Sequence, residues 1–117
     1  MPQTIEVLPN GLKLWQDDRF FKLGQDSVLL SAFAKPRRNA KVLDLGCGTG
    51  ALALLVWRPD LKITGLELQD GPLDLFRQSI AANELENVTA LQGDLRQMRT
   101  LLPHGSMDYV ICNPPYF

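Results

Sequence analysis

Four hydrogen-bonding side chains fall at the ends of four short apolar runs. Asp44 stands in "KVLDLG", Glu67 closes "KITGLE", Asp94 follows "TALQG", and Asn113 follows "DYVIC". If those runs are parallel strands of one sheet, all four groups reach the crevice at its carboxyl edge, where such sheets bind ligands. The first run leads into "DLGCGTGA". Gly46, Gly48 and Gly50 let the backbone turn sharply and approach a ligand closely. The helix beyond them offers unpaired N–H groups to an anion.

Two cofactors fit this loop in outline. Gly46-x-Gly48-x-x-Ala51 satisfies the dinucleotide pattern, with Glu67 about where its ribose acid stands, so a nicotinamide oxidoreductase is one reading. Asp44 favours another. A carboxylate just ahead of Gly46 repels a pyrophosphate, but it attracts the ammonium and sulfonium of S-adenosylmethionine, which has no phosphate. On this reading the loop amides take that cofactor's carboxylate. Glu67 then accepts from its ribose hydroxyls and Asp94 from its adenine amino group. Leu68 and Leu95, next to the acids, either pack on the adenine faces or belong to the core. The plain alternatives are a capping role for Asp44 and solvated loop positions for Glu67 and Asp94.

Asn113-Pro114-Pro115-Tyr116 reads as a catalytic array. Prolines fix φ and lack N–H groups, so Pro114 and Pro115 stiffen the turn and leave carbonyls without local partners. The Asn113 side-chain carbonyl and the Pro114 carbonyl then form a rigid pair of neutral acceptors for an NH2 group. Such a nitrogen is a poor nucleophile because its lone pair is delocalised. Holding both hydrogens favours a pyramidal nitrogen, aims the lone pair at a methyl donor and stabilises developing positive charge. Tyr116 can stack on a planar acceptor such as a flipped-out base. A simple turn with a core tyrosine is the alternative.

The elements that must position these groups alternate along the chain. "TIEVLPNGLKLWQ" reads as a hairpin, with an Asn-Gly pair able to take the positive φ of a tight turn. "QDSVLLSAFA" reads as a helix capped by Asp26 or Ser27, with Val28, Leu29, Ala32 and Phe33 as its apolar stripe. "KPRRNAK" is a basic loop. From Lys41 onward strand and helix alternate. "GALALLVW" and "DGPLDLFRQSIAANEL" are predicted helices, the second with Leu73, Phe76 and Ile80 inward, and "QMRTLL" is a short one. This pattern predicts βαβ units, right-handed crossovers and a mainly parallel α/β sheet. The expected division is a hairpin-and-helix cap over residues 1–40 and a cofactor-binding unit over 41–117.

With 117 residues, 45% of them hydrophobic, the chain can build one core. Its net charge of −1 gives no bulk case for binding nucleic acid or membranes, which leaves only a local patch. No signal peptide is evident and the apolar stretches are too short to span a bilayer, so a cytoplasmic protein without a membrane partner is expected. Cys47 and Cys112 lie far apart in neither a CxxC nor a metal-ligand cluster. They read as reduced structural thiols, and no metal site is expected. Asn87-Val88-Thr89 matches a glycosylation acceptor by chance, and His104 reads as a solvated loop residue.

Taken together, these motifs make the chain resemble the class I S-adenosylmethionine-dependent methyltransferases that carry an Asn-Pro-Pro-Tyr motif. "DLGCGTG", including Cys47, matches the cofactor loop, Glu67 the ribose acid, Asp94 the adenine-side acid and "NPPY" the catalytic motif. Upstream, "FKLGQDSVLLSAFA" is similar to the segment before the cofactor loop in bacterial tRNA1(Val) adenine-N6 methyltransferases. There a Lys-x-Gly-x-Asp element closes over the methionine end of the cofactor, and Lys22, Gly24 and Asp26 match it. The resemblance implies a Rossmann-like sheet, S-adenosylmethionine as cofactor, and methylation of adenine N6 in tRNA or another RNA. Methylation of a protein glutamine amide or of guanine N2 in rRNA remains open, as does a non-catalytic cofactor-binding role. The family fold has strands in the order 3-2-1-4-5-7-6, and only strands 1–4 are expected here. The sequence therefore reads as part of a longer enzyme. Its fourth strand would be an open edge, with Val110 and Ile111 poorly covered and available for self-association.

Overall fold

The computed structural model describes residues 3–17, 19, 30–97, 102 and 106–112. Lys22, Asp26, His104 and Asn113-Pro114-Pro115-Tyr116 lie outside them. An antiparallel hairpin comes first, from β1 (Gln3–Val7) and β2 (Lys13–Asp17), with Val7 opposite Lys13. Its turn is a three-residue loop in which the Gly11 amide donates to the Leu8 carbonyl. Within the turn Gly11 takes the positive φ, +88°, that the Asn-Gly pair is expected to allow. Pro9 and Asn10 fill the centre of an ordinary turn. The Asn10 side chain accepts from the Leu12 amide and donates to Leu54 O at 2.7 Å.

Strands and helices then alternate as expected: β3 (Lys41–Leu45), α1 (Ala51–Val56), β4 (Lys62–Glu67), α2 (Asp70–Ala82), β5 (Val88–Gln92), a 3-10 turn (Leu95–Gln97) and β6 (Tyr109–Cys112). The sheet runs β5-β4-β3-β6, every neighbouring pair parallel. β3 lies inside it with Val42, Leu43 and Asp44 all buried, as a strand covered on both faces should be. α1 begins where Gly50 turns left-handed and ends at Val56, just before Trp57-Arg58-Pro59.

α2 buries Leu73, Leu75 and Phe76, with Ile80 half-buried beside them. Its packing on β4 and on the start of α1 depends on two missing methyl groups. A Cβ on Gly50 would lie 2.1 Å from Phe76 Cδ1, and one on Gly65 would lie 2.5 Å from Cε2. The Phe76 ring occupies both spaces.

The hairpin joins the same core through Leu8 and Leu14. The side of β2 away from β1 is closed by side chains of α2. The Trp15 amide donates to Ser79 Oγ at 2.8 Å, the Lys13 amide to Asn83 Oδ1 at 2.9 Å, and Asn83 Nδ2 to Lys13 O at 2.7 Å. Ser79 is fully buried. Ser79→Ala therefore leaves the Trp15 amide without its partner, at a cost of about 1–3 kcal/mol. Urea unfolding is expected to show a lower midpoint at unchanged slope.

β1 is exposed along its whole length, with Ile5 and Val7 uncovered. Several expectations are corrected. Residues 30–33 are helical, yet Phe33, assigned to the apolar stripe, is 80% exposed; Val28 and Leu29 are outside the described residues. A 3-10 turn over Leu95–Gln97 is initiated by Asp94, whose carbonyl accepts the Gln97 amide, and the short helix expected over 97–102 lies almost entirely outside the described residues. In β6, Val110 is exposed as expected, but Ile111 is buried in the common core. Among the described residues β6 pairs only with β3. The Asn87 side chain donates to Arg58 O and Leu61 O and accepts from Trp57 Nε1, which leaves no free amide for a glycan.

Candidate functional site at the carboxyl edge of the sheet

The parallel register brings the ends of β3, β4 and β5 to one edge. Asp44 lies opposite Gly65, and Glu67 opposite Gln92. The glycine loop from Gly46 to Gly50 crosses this edge. Gly46 and Gly48 have φ of +64° and +56°, and open space stands where a Cβ would point at both. An L-residue there would be strained, and its side chain would fill the space a ligand needs.

Asp44 is 1% exposed, and its Oδ2 has no hydrogen-bond partner among the described residues. Burial pushes its carboxyl up to about 8; the Ala53 amide in the first turn of α1 opposes that shift, and the Glu67 carboxylate adds to it. The capping reading of Asp44 thus holds for part of the group. One face meets the helix, while the other oxygen is a buried acceptor with nothing to accept from. Such an atom suits a positively charged donor.

Glu67 serves the loop itself. Its Oε1 accepts the Gly48 amide at 2.8 Å and its Oε2 the Gln69 amide at 3.0 Å. Each oxygen keeps a second lone pair for a hydroxyl. The loop amides are less available than the sequence suggests. Those of Cys47, Gly48 and Gly50 donate to Leu66 O, Glu67 and Cys47 O. Cys47 is buried, and burial together with Asp44 and Glu67 drives its thiol pKa up, so it packs rather than reacts. The exposed Cys112 thiol is also raised, by burial first and then by Asp44.

Asp94 is held by a residue that sequence reasoning passed over. Arg96 donates its amide to Oδ1 at 2.9 Å, and its Nε and one terminal nitrogen to Oδ2 at 3.0 and 2.6 Å. This guanidinium lowers the Asp94 carboxyl below its usual range. The Asp-x-Arg spacing was the available signal; Asp17 and Arg19 form the same kind of pair. Leu68 is 60% exposed beside Glu67, which removes the core reading for it and leaves an apolar surface at the site. The Leu95 side chain lies outside what is described. Among the described residues no group of three or more His, Cys, Asp or Glu could hold a metal, and no helix is long and apolar enough to cross a membrane.

A parallel sheet in this order, with a glycine loop and acids on its carboxyl edge, defines a Rossmann-like methyltransferase fold. The chain belongs to the methyltransferase small domain family, whose model matches residues 24–117. It is 33% identical over 100 residues to the tRNA1(Val) (adenine(37)-N6)-methyltransferase of Yersinia pestis, covering 82% of this chain and 40% of that protein. TrmN from Thermus thermophilus superposes with a TM-score of 0.64 at 26% identity, over 76% of this chain and 27% of that one. The tRNA (uracil-54, C5)-methyltransferase of Pyrococcus abyssi gives a TM-score of 0.73 at 16% identity, over 98% of this chain and 29% of its own, a likeness of fold alone. The chain thus spans about 40% of the length of the curated relatives it matches.

Proposed function

We propose that this chain binds S-adenosylmethionine at the carboxyl edge of its sheet and serves a methyltransferase whose acceptor is an exocyclic amino group, adenine N6 in tRNA. The observation that carries the cofactor half is the buried, unpartnered Asp44 oxygen beside two left-handed glycines with open space in front of them. A pyrophosphate would meet that acid, which disfavours the nicotinamide reading, whereas the spent loop amides bear on both cofactors alike. Support for the acceptor half comes from the Yersinia relative and from the acceptor chemistry of Asn113-Pro114-Pro115-Tyr116.

When bound, S-adenosylmethionine supplies an electrophilic methyl group on a sulfonium. Asp44 would receive the ammonium, Glu67 the ribose hydroxyls, and Asp94, oriented by Arg96, the adenine amino group. Leu68 offers apolar cover. Lys22 and Asp26 would close over the methionine end. Asn113 and Pro114 would hold the two hydrogens of the acceptor amine, so that its lone pair is free to attack, and Tyr116 would stack on the base. No covalent enzyme intermediate is required.

Calorimetric titration with S-adenosylhomocysteine tests the cofactor half. Heat of binding and a raised Tm are expected, and the absence of both, or stronger stabilisation by NAD, would sink it. In methyl-transfer assays with tRNA as acceptor, Asn113→Ala is expected to abolish N6-methyladenosine formation while cofactor affinity changes by no more than about twofold. Turnover near the wild-type rate would remove Asn113 from the mechanism.

A further inference from the structure

Charge is divided between the two ends of the sheet. The carboxyl edge carries Asp44, Glu67, Asp70 and Asp94, and Arg96 there is spent on Asp94. The opposite, amino edge gathers Lys35, Arg37, Arg38, Lys41, Arg58 and Lys62, half of the 12 Lys and Arg in a chain of net charge −1. The fold brings these six together. Lys41 and Lys62 are direct neighbours at the starts of β3 and β4. Like charges in that position cost stability, so a surface under no other demand would avoid them.

Arg58 ties the basic loop to this corner by donating to Pro36 O and Arg37 O. The two acids present, Asp60 and Asp108, act as braces. Asp60 accepts the Asn39 amide and pairs with Arg58; Asp108 accepts the Lys41 amide and pairs with Arg37. Lys35, Arg38, Lys41 and Lys62 are exposed and make no ion pair among the described residues. Glu84 and Glu86, in the turn before β5, bound the patch on one side.

We propose that this amino-edge patch is an RNA-docking surface, which binds backbone phosphates of the substrate while the target base reaches the acidic carboxyl edge. The inference rests on the tRNA reading above and says where the RNA is held. An edge lined with acids that suit a cationic cofactor repels phosphates, so attraction must come from elsewhere. The strand between the two edges, β3, is five residues long, or about 17 Å. That span is within the reach of a stem-loop a few base pairs long. The patch carries no sequence information and sets affinity and orientation only.

The test is fluorescence anisotropy of this chain with a labelled anticodon stem-loop RNA across a salt series. Lys41→Glu/Lys62→Glu is expected to weaken binding at least tenfold and to make the log–log salt slope shallower by about 1.4–1.8, the loss of two phosphate contacts. Lys13→Glu/Arg77→Glu, with the same charge change on β2 and α2, is expected to weaken it less than threefold. Affinity for S-adenosylhomocysteine should be unchanged in both. If the first variant does not fold, Lys35→Glu/Arg38→Glu in the loop gives the same readout. Equal losses in patch and control variants would overturn the inference. So would no RNA binding by the wild-type chain, or preferential binding of polyglutamate. Either result with cofactor binding intact leaves the methyltransferase reading standing, whereas loss of cofactor binding in the wild type counts against that reading alone.

Discussion

Gly50→Ala is expected to destabilise the protein by about 2–5 kcal/mol and to lower Tm by about 6 °C or more. Two costs combine. The residue sits at φ +88°, where an L side chain costs about 1–2 kcal/mol. The new Cβ would also lie 2.1 Å from Cδ1, 2.4 Å from Cε1 and 2.7 Å from Cγ of Phe76. Phe76 is completely buried, and its other side fills the space over Gly65, so the ring has nowhere to retreat. Overpacking of this kind costs about 1–3 kcal/mol. A marginally stable domain loses much of its reserve to such a change. A double-mutant cycle separates the two terms. In a Phe76→Ala background the steric part disappears, and Gly50→Ala is expected to cost only the conformational part. A cost that is the same in both backgrounds would show that Phe76 does not set the requirement for glycine. The loop is thus constrained twice, by left-handed backbone at Gly46 and Gly48 and by helix packing at Gly50.

The strand order came only from the resemblance to class I methyltransferases, but the parallel sheet was legible because strand and helix periods alternate from Lys41 onward, and because acids and glycines fall where βα turns must be. The placement of Asp44, Glu67 and Asp94 at or just past the strand ends was legible for the same reason. Their partners were not. That Glu67 ties down Gly48, or that Arg96 grips Asp94, depends on side-chain geometry across turns that hydrophobic period does not report. The fastening of the hairpin was equally hidden. Ser79 and Asn83 read as polar positions on a helix, and only packing shows that they close the free side of β2. Phe33 was misplaced because an apolar residue at helical spacing was assumed to be covered, although an apolar side chain can stay exposed. The Asn113-Pro114-Pro115-Tyr116 stretch remains a reading of sequence chemistry.

Asp44→Asn is expected to raise stability while weakening cofactor binding. A carboxyl whose native pKa is about 8 against an ordinary 3.8 binds more protons in the folded state than in the unfolded one. Folding stability therefore falls as pH rises from about 4 to about 8, by about 1.4 kcal/mol for each unit of displacement. Asparagine keeps an acceptor for the Ala53 amide and removes the titration. Urea unfolding of the variant is expected to lose that decline, so that its advantage over wild type grows up to pH 8 and is level above it. Binding should move the other way. An ammonium beside Oδ2 favours the ionised form, so the wild type is expected to release close to one proton on binding S-adenosylhomocysteine at pH 7, seen as an enthalpy that varies with the buffer. The variant releases none and binds about 10- to 100-fold more weakly, the worth of one charge-assisted hydrogen bond. Equal affinity together with no proton release in the wild type would show that Asp44 does not face the cation. A site that stores an uncomfortable acid in the empty state and relieves it on binding has its affinity set by that discomfort, and this is the stability–function trade-off expected of a buried functional carboxylate.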